Sequence, residues 1–360
     1  MNLPHPIMRH TAPALLRYVL VSFGVSVLLT RLYLQLTGFP KLGFGGLHIA
    51  HLLWGVLALI IAALLMLIYA SPGLRKVAAV LTGIGIGLFI DEVGKFITSD
   101  NNYFYQPAAP IIYLCFLLVA LIYERAALSQ RETTDRETLS AALDDVESFI
   151  EGNPYAIQRI ELNTTLKQLR GKTHNSEYVA LADALERFAT SAATRPGEAR
   201  LRSIITRIEG RAQRYFNKHE HVLTVLLVAV LAVRVAVLAV VLLLVAGPVL
   251  SVLVGLVQPD ATVVVVPSIL IVTALRAVTD LILLAGLILF VFRNSVRGLY
   301  WMQTALMLSL CVIQVFSFYQ DQFVAVAGVF GDLIPLLFLR VYLFRKTTQQ
   351  PHSQLAQVDV

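Results

Sequence analysis

Four side chains able to bind metal ions fall in two neighbouring apolar stretches of the sequence. His48 and His51 lie three residues apart at the start of one stretch, and Asp91 and Glu92 are adjacent near the end of the next. A spacing of three places both histidines on one face of a helix, about 60° apart. Two imidazoles with one or two carboxylates form a ligand set that suits Zn, Mn or Fe. The pattern therefore predicts a site for one divalent metal.

These four residues also fall at similar depth if the two stretches are antiparallel membrane helices. At a rise of 1.5 Å per residue, His48 and His51 lie roughly 3–8 Å below the outer edge, and Asp91 and Glu92 about 8–9 Å below it. A metal with an open coordination position activates water. Our first hypothesis is hydrolysis of a membrane-embedded substrate, with His48, His51 and Asp91 as ligands. Glu92 would then be a ligand or the general base. The alternative is polar packing, with an Asp91–Lys95 ion pair and His51 bonded to a neighbouring helix.

A second group of charged residues lies near the middle of three other apolar stretches. Its members are Arg234, Arg276, Asp280 and Asp332. Each charge at the centre of a membrane helix costs about 2.5–3.5 kcal/mol, so the group needs partners or water. Two interpretations stay open: a neutral network that fixes helix register, or a path for an ion, a proton or an anionic lipid headgroup. Arg31 and Gln314 are candidates to extend either polar group. The second interpretation predicts a transporter or channel.

The composition requires these stretches to be membrane helices. The chain has 360 residues, of which 57% are hydrophobic and 14% charged. An average soluble domain is about 25% charged, so a water-soluble single-core protein is excluded. A crossing needs about 20 apolar residues. The sequence predicts an all-α bundle with about eight crossings: Ala14–Leu36, Leu47–Ala70, Ala78–Ile97, Ala109–Tyr123, Val222–Ala246, Ser268–Phe292, Leu299–Phe318 and Phe323–Leu343.

The orientation follows from Lys and Arg, which accumulate on the cytoplasmic side. Eight crossings place nearly all basic loop residues on one side, including Arg9, Arg75, Arg293 and Arg345. Both termini are then cytoplasmic. This distribution accounts for the net charge of +6, so the sequence predicts no nucleic-acid partner and a lipid bilayer as its environment.

A polar insert separates the two apolar halves and reads as helices with turns between them. One helix is predicted over Thr134–Glu151, a second up to Arg170, a third from Asn175 or Ser176, and a fourth after Pro196. The predicted domains are a membrane domain 1–124, a cytoplasmic helical domain 125–218, a second membrane domain 219–346 and a flexible cytoplasmic tail 347–360. A scaffold or sensor acting through these helices, by binding a protein partner or by self-association, is the third functional hypothesis. Whether the protein is an enzyme stays open.

One segment resembles a pattern in uncharacterised bacterial multi-pass inner-membrane proteins. The pattern is His48, His51 and Gly55, followed by the glycine-spaced run 83–87 and the acidic pair 91–92. The resemblance covers the second and third predicted crossings. It implies a bacterial inner-membrane location and carries no activity. The glycines themselves predict a close crossing of these two helices.

Overall fold

The computed structural model describes residues 7–38, 50–100, 105–129, 134–152, 154, 156–192, 267–293 and 296–349, with five single positions between 225 and 240. Every regular element in this part of the chain is a helix, which confirms the all-α prediction. The chain divides into two compact units, Met1–Gly210 and Arg211–Val360. We call them unit 1 and unit 2, and each is described by itself.

Unit 1 begins with the apolar helices α1 to α5. They are α1 (Ala12–Thr37), α2 (His51–Ile68), α3 (Pro72–Asp91), α4 (Val93–Ile97) and α5 (Ala108–Ser129). Local sequence sets their ends. The Ser71 hydroxyl accepts the Leu74 N–H, and Pro72 begins α3, where a missing N–H costs nothing. Helix α1 ends at Gly38, whose φ of 70° is readily adopted by glycine.

Glycines bring α3 into backbone contact with α2, as the sequence predicts, and also with α1, which was not predicted. A methyl group added at Gly85 would lie 2.8 Å from the carbonyl oxygen of Gly55 on α2. One added at Gly83 would lie 2.3 Å from the carbonyl oxygen of Val19 on α1. Because neither distance leaves room for a side chain, the three helices pack closely enough for polar groups at their ends to meet.

The insert contributes three helices that match the first three predicted for it: α6 (Asp135–Ile150), α7 (Ala156–Lys172) and α8 (Ser176–Ser191). Thr134 and Glu137 form a capping box at the start of α6, and the Asn175 side chain caps α8. Their apolar stripes meet in one core of Ala142, Val146, Phe149, Leu162, Leu166, Leu169, Ala182 and Ala189. The fourth predicted helix lies outside the described residues.

Helix α6 is held against the beginnings of α1 and α3 by charged contacts. Arg75, only 5% exposed, places Nη1 2.7 Å from Glu147 Oε2. His10, just before α1, lies with Nε2 3.2 Å from Asp145 Oδ1 and Nδ1 3.5 Å from Asp144 Oδ2. The hydrogen bond with Asp145 raises the pKa of His10 above its ordinary 6.5, although burial acts in the opposite direction. Within unit 1, α6 is therefore docked on the apolar helices through charged contacts.

The part of unit 2 that the structure describes from Pro267 onward is a helix followed by a helical hairpin. Its elements are α9 (Pro267–Arg293), α10 (Val296–Leu308), a π-helical segment (Ser309–Ile313), α11 (Gln314–Asp321), a 3-10 turn (Gln322–Ala325) and α12 (Val326–Gln349). At Gln322, with φ 50°, the chain turns and α12 packs back on α10. Gly286 on α9 and Gly298 on α10 meet in a second close crossing. The core contains Leu283, Leu287, Phe290, Leu299, Met302, Leu306, Leu336, Leu339 and Leu343.

Six stretches of helix among the described residues are long and apolar enough to cross a membrane. Four belong to unit 1 and correspond to the first four predicted crossings. In unit 2, Val272–Phe292 corresponds to the sixth. The last candidate stretch, Val296–Leu343, spans 48 residues and contains both the seventh and the eighth predicted crossings. The fifth, Val222–Ala246, lies almost entirely outside the described residues. The structure therefore shows six candidate membrane-spanning helices, by length and composition, and the count of eight stays a prediction.

Candidate functional site

The first polar cluster forms where α3 ends. Helix α3 stops at Asp91, Glu92 adopts φ −93° and ψ 9°, and the short helix α4 begins at Val93. In an unbroken helix, Asp91 and Glu92 would point about 100° apart. Because the helix breaks between them, both carboxylates instead reach His51 at the start of α2. We call Arg31, His51, Asp91, Glu92 and Lys95 the Asp91 cluster.

His51 bridges the two carboxylates. Its Nε2 lies 3.1 Å from Asp91 Oδ2, and its Nδ1 lies 3.3 Å from Glu92 Oε1. Both carboxylates have 0% exposure. The structure therefore brings together three of the four predicted metal-site residues. His48, the fourth, lies outside the described residues.

Two basic side chains lie against the two acids. Arg31 on α1 donates from Nε to Asp91 Oδ1 at 2.5 Å and from Nη2 to the Asp91 carbonyl oxygen at 3.0 Å. Lys95 on α4 donates to Glu92 Oε1 at 2.6 Å, whereas the packing alternative paired it with Asp91. The backbone N–H of Leu52 donates to Glu92 Oε2 at 3.2 Å, so Glu92 also caps the first turn of α2. Each of the four carboxylate oxygens thus has a hydrogen-bond or ionic partner.

This arrangement has the chemistry of a buried ion-pair network. A metal bound to these carboxylates would share them with Arg31 and Lys95, whose positive charges oppose the binding of a further cation. Within the described ranges, no group of three or more His, Cys, Asp or Glu side chains has a geometry suited to a metal ion. The divalent-metal role of His48, His51, Asp91 and Glu92, and the general-base role of Glu92, stay predictions.

The second polar cluster surrounds Asp332 on α12 in unit 2. Ser309 Oγ donates to Asp332 Oδ2 at 2.7 Å, and Gln314 Nε2 donates to the same oxygen at 2.8 Å. Asp332 is 1% exposed and Gln314 is 4% exposed. We call Ser309, Gln314 and Asp332 the Asp332 cluster.

The π-helical segment explains how Ser309 and Gln314 reach one acid. Five residues apart on a regular α-helix, they would point about 140° away from each other. Here the Gln314 N–H bonds to the Ser309 carbonyl, five residues back, and this wider turn directs both side chains toward Asp332. The sequence analysis did not identify Ser309 as a site residue, because residues five positions apart do not lie on the same face of an α-helix.

Two further members of the predicted charge group, Arg276 and Asp280, lie on α9. Asp280 is buried on α9, and Arg276 on the same helix donates from Nη2 to Ser317 Oγ on α11 at 3.1 Å. Arg234 lies outside the described residues. Joint neutralisation of Arg234, Arg276, Asp280 and Asp332 stays a prediction.

No family profile, curated protein or solved structure matches this chain. No role can therefore be transferred from a relative, and the resemblance to uncharacterised bacterial membrane proteins stays a prediction. The function has to be argued from the two clusters. Asp91 has cationic partners at a helix end, whereas the described hydrogen bonds of Asp332 come from neutral groups inside a continuous helical hairpin.

Proposed function

We propose that the protein is a transporter or channel that moves a cation or a proton through unit 2, along a path lined by Arg276, Asp280 and the Asp332 cluster. The observation that carries this proposal is Asp332 itself. A carboxylate 1% exposed inside an apolar helical hairpin is held by a hydroxyl and an amide at a π-helical segment. Ionisable groups within membrane helices are costly and typically mark ion or proton pathways.

The surrounding backbone supports the same function. π-Helical turns inside α-helices occur frequently at functional sites. Transporters commonly bind ions where a membrane helix departs from regular geometry, because the freed carbonyl groups face the ion. The segment Ser309–Ile313 packs against α9, which carries Arg276 and the buried Asp280. Unit 2 thus combines irregular backbone with buried polar side chains.

The proposal includes the topology predicted from the sequence. Eight crossings, with both termini in the cytoplasm of a bacterium and the protein in its inner membrane, agree with the distribution of basic residues. The turn at Gln322 supports the division of Val296–Leu343 into two crossings, since 48 residues of straight helix would extend about 72 Å across a core of about 30 Å.

The test is ion flux into proteoliposomes that contain the full chain. Imposed H⁺, Na⁺ and K⁺ gradients are followed with entrapped pH-sensitive and cation-sensitive dyes. We expect flux of one of these ions in the wild type and its loss in Asp280→Asn and Asp332→Asn. The matched control is Asp321→Asn, the same change at an exposed position of unit 2. Absence of flux in the wild type, or full flux in both variants of the buried acids, would refute the proposal.

A second candidate function is metal-assisted hydrolysis of a membrane-embedded substrate at the Asp91 cluster. It is favoured by the meeting of His51, Asp91 and Glu92 at the end of α3. Elemental analysis of protein purified without chelators tests it. About one Zn, Mn or Fe per chain, lost in His51→Ala and retained in His174→Ala, supports this candidate. A wild-type protein without bound metal would refute this candidate function.

A further inference from the structure

A cavity of about 690 Å³ lies within unit 1, between the beginnings of α1 and α3 and the end of α2. Its volume falls in the range of about 300–1,000 Å³ that is typical of ligand pockets. All three helices are long and apolar enough to cross a membrane. Because the ends of such helices lie at the level of the lipid headgroups, the cavity is placed where a lipid can enter it.

The charged part of the cavity wall has an excess of positive charge. Its lining includes Arg9 and Arg75 but only one acid, Glu147. Asp144, the ion-pair partner of Arg9, is not among the lining residues. The Arg9 side chain stays 42% exposed, and its Nε lies 3.7 Å from Asp144 Oδ2, so this pair leaves the guanidinium group accessible. The wall therefore favours an anionic ligand.

Arg9 and Arg75 lie close to each other because α6 holds both of them. Arg75 Nη1 lies 2.7 Å from Glu147 Oε2, and Arg9 is paired with Asp144. Asp144 and Glu147 are three residues apart on one face of α6, where Cβ atoms are about 5–6 Å apart. The two guanidinium groups thus lie within about one helical turn of each other. A guanidinium group has several N–H donors, which suit the geometry of a phosphate group.

Apolar side chains complete the wall of the same cavity. Leu15 and Leu16 line it from α1, and Met66 and Leu67 line it from the end of α2. Leu67 is 83% exposed, and Tyr69, just after α2, is 51% exposed. Exposed apolar groups at this level suit contact with acyl chains, and tyrosine is typical of membrane interfaces. Two arginines beside an apolar wall match an anionic amphiphile.

We propose that this cavity binds an anionic phospholipid, with its phosphate against Arg9 and Arg75 and its acyl chains along Leu15, Leu16 and Met66. Basic pockets between membrane helices are known to bind anionic lipid headgroups. A free phosphate would leave the apolar wall unused, and a zwitterionic lipid would bring a second positive group to the arginines. The site belongs to unit 1 and does not depend on the transport proposed for unit 2.

The experiment is thermal unfolding of the purified full chain in a neutral detergent. The additions are dioleoyl phosphatidylglycerol, dioleoyl phosphatidylcholine, which has the same acyl chains, and glycerol phosphate, which has none. A ligand that binds only the folded state raises the Tm. We expect phosphatidylglycerol at roughly ten times its Kd to raise the wild-type Tm by about 2 °C or more. No increase, an equal increase with phosphatidylcholine, or an equal increase with glycerol phosphate would overturn the proposal.

Arg9→Gln tests the contact with the phosphate. The variant leaves the Arg75–Glu147 pair in place, so it should fold, and the Tm without lipid checks this. Loss of a hydrogen bond to a charged group should raise the Kd for phosphatidylglycerol about tenfold. The matched control is Arg17→Gln, the same change at an exposed position of α1 outside the cavity, which should keep the wild-type Kd. Equal Kd values for the two variants would refute the role of Arg9.

Leu67→Asp tests the cavity without changing either arginine. Leu67 is highly exposed in the last turn of α2, so the variant should fold, and its new negative charge repels the lipid phosphate. The matched control is Leu36→Asp, at a position 77% exposed in the last turn of α1 and outside the cavity. We expect Leu67→Asp to lose most of the Tm increase and Leu36→Asp to keep it. An unchanged increase in Leu67→Asp would mean that the lipid binds elsewhere and would overturn the proposal.

Discussion

Units 1 and 2 share one packing device and differ in how they hold buried acid groups. Each has a glycine pair at which two helices touch: Gly55 with Gly85 in unit 1, and Gly286 with Gly298 in unit 2. Asp91 in unit 1 is held by an arginine and a histidine, whereas the described hydrogen bonds to Asp332 in unit 2 come from a hydroxyl and an amide.

This difference favours a stabilising role for the Asp91 cluster. All four carboxylate oxygens of the Asp91 cluster have partners, and those partners come from α1, α2 and α4. The cluster therefore fastens helix ends together. In the Asp332 cluster, an acceptor on Gln314 is left over.

The largest effect that tests this comparison is expected from Asp91→Asn. Removing one partner of a buried ion pair leaves the other charge uncompensated, which costs about 3–5 kcal/mol. We therefore expect the free energy of unfolding of the full chain to fall by about that amount, measured by denaturant titration in detergent.

A double-mutant cycle with Arg31→Met controls this prediction. Once Asp91→Asn has removed the acid, loss of Arg31 should cost much less than it does in the wild type, because the two residues act as a pair. Additive losses would mean that Arg31 and Asp91 stabilise the fold independently, and the Asp91 cluster would lose its role as a single network.

A smaller effect is expected from Gly85→Ala, which tests the shared packing device. The added methyl group would lie 2.8 Å from the Gly55 carbonyl oxygen and 2.7 Å from Leu59 Cγ, so α2 and α3 must separate. Overpacking of this kind costs about 1–3 kcal/mol. Gly171→Ala in α7 is the matched control: it meets no described atom within 4 Å and should stabilise its helix by about 0.5–1 kcal/mol. Equal effects of the two variants on unfolding would contradict a close crossing.

The smallest effect is expected from pH acting on His10, at the other end of α1 from the Asp91 cluster. The hydrogen bond with Asp145 raises the pKa of His10 in the folded state. Its contribution to docking is therefore fully present below the ordinary value of 6.5 and is lost as the pH rises through the raised value. Because the pair is partly exposed, we expect only about 0.2–1 kcal/mol.

Hydrogen exchange of α6 measures this contribution. In the wild type, protection of α6 should decrease across that pH interval relative to α5, and His10→Gln should remove the dependence. If protection of α6 decreases equally in His10→Gln, the pH effect belongs to another group.

The sequence predicts the helices well and the polar clusters only in part. Apolar runs and the helix-start signals at Thr134 and Asn175 locate most helices, because these signals are local, whereas α3 begins at Pro72 and not at the predicted Ala78. The meeting of His51 with Asp91 and Glu92 follows from equal depth on antiparallel helices. The Glu92–Lys95 pair could not be predicted in the same way. It depends on the helix break at Glu92, which no proline in the sequence indicates. Arg31 offered a usable signal, since an arginine in an apolar helix requires an acid at similar depth.

The Asp332 cluster shows where such reasoning ends. Gln314 is visible as a polar residue in an apolar stretch, but its alignment with Ser309 depends on the π-helical turn. That turn is set by packing within unit 2 and leaves no trace in α-helical periodicity.

The docking of α6 has a consequence for biosynthesis. Arg75 and His10 both precede Glu147 and Asp145 in the chain, and segments nearer the N-terminus fold first during synthesis. The basic residues at the beginnings of α1 and α3 have therefore been synthesised before the acidic helix that covers them. The described contacts that attach α6 need no residue that is made after α6 itself.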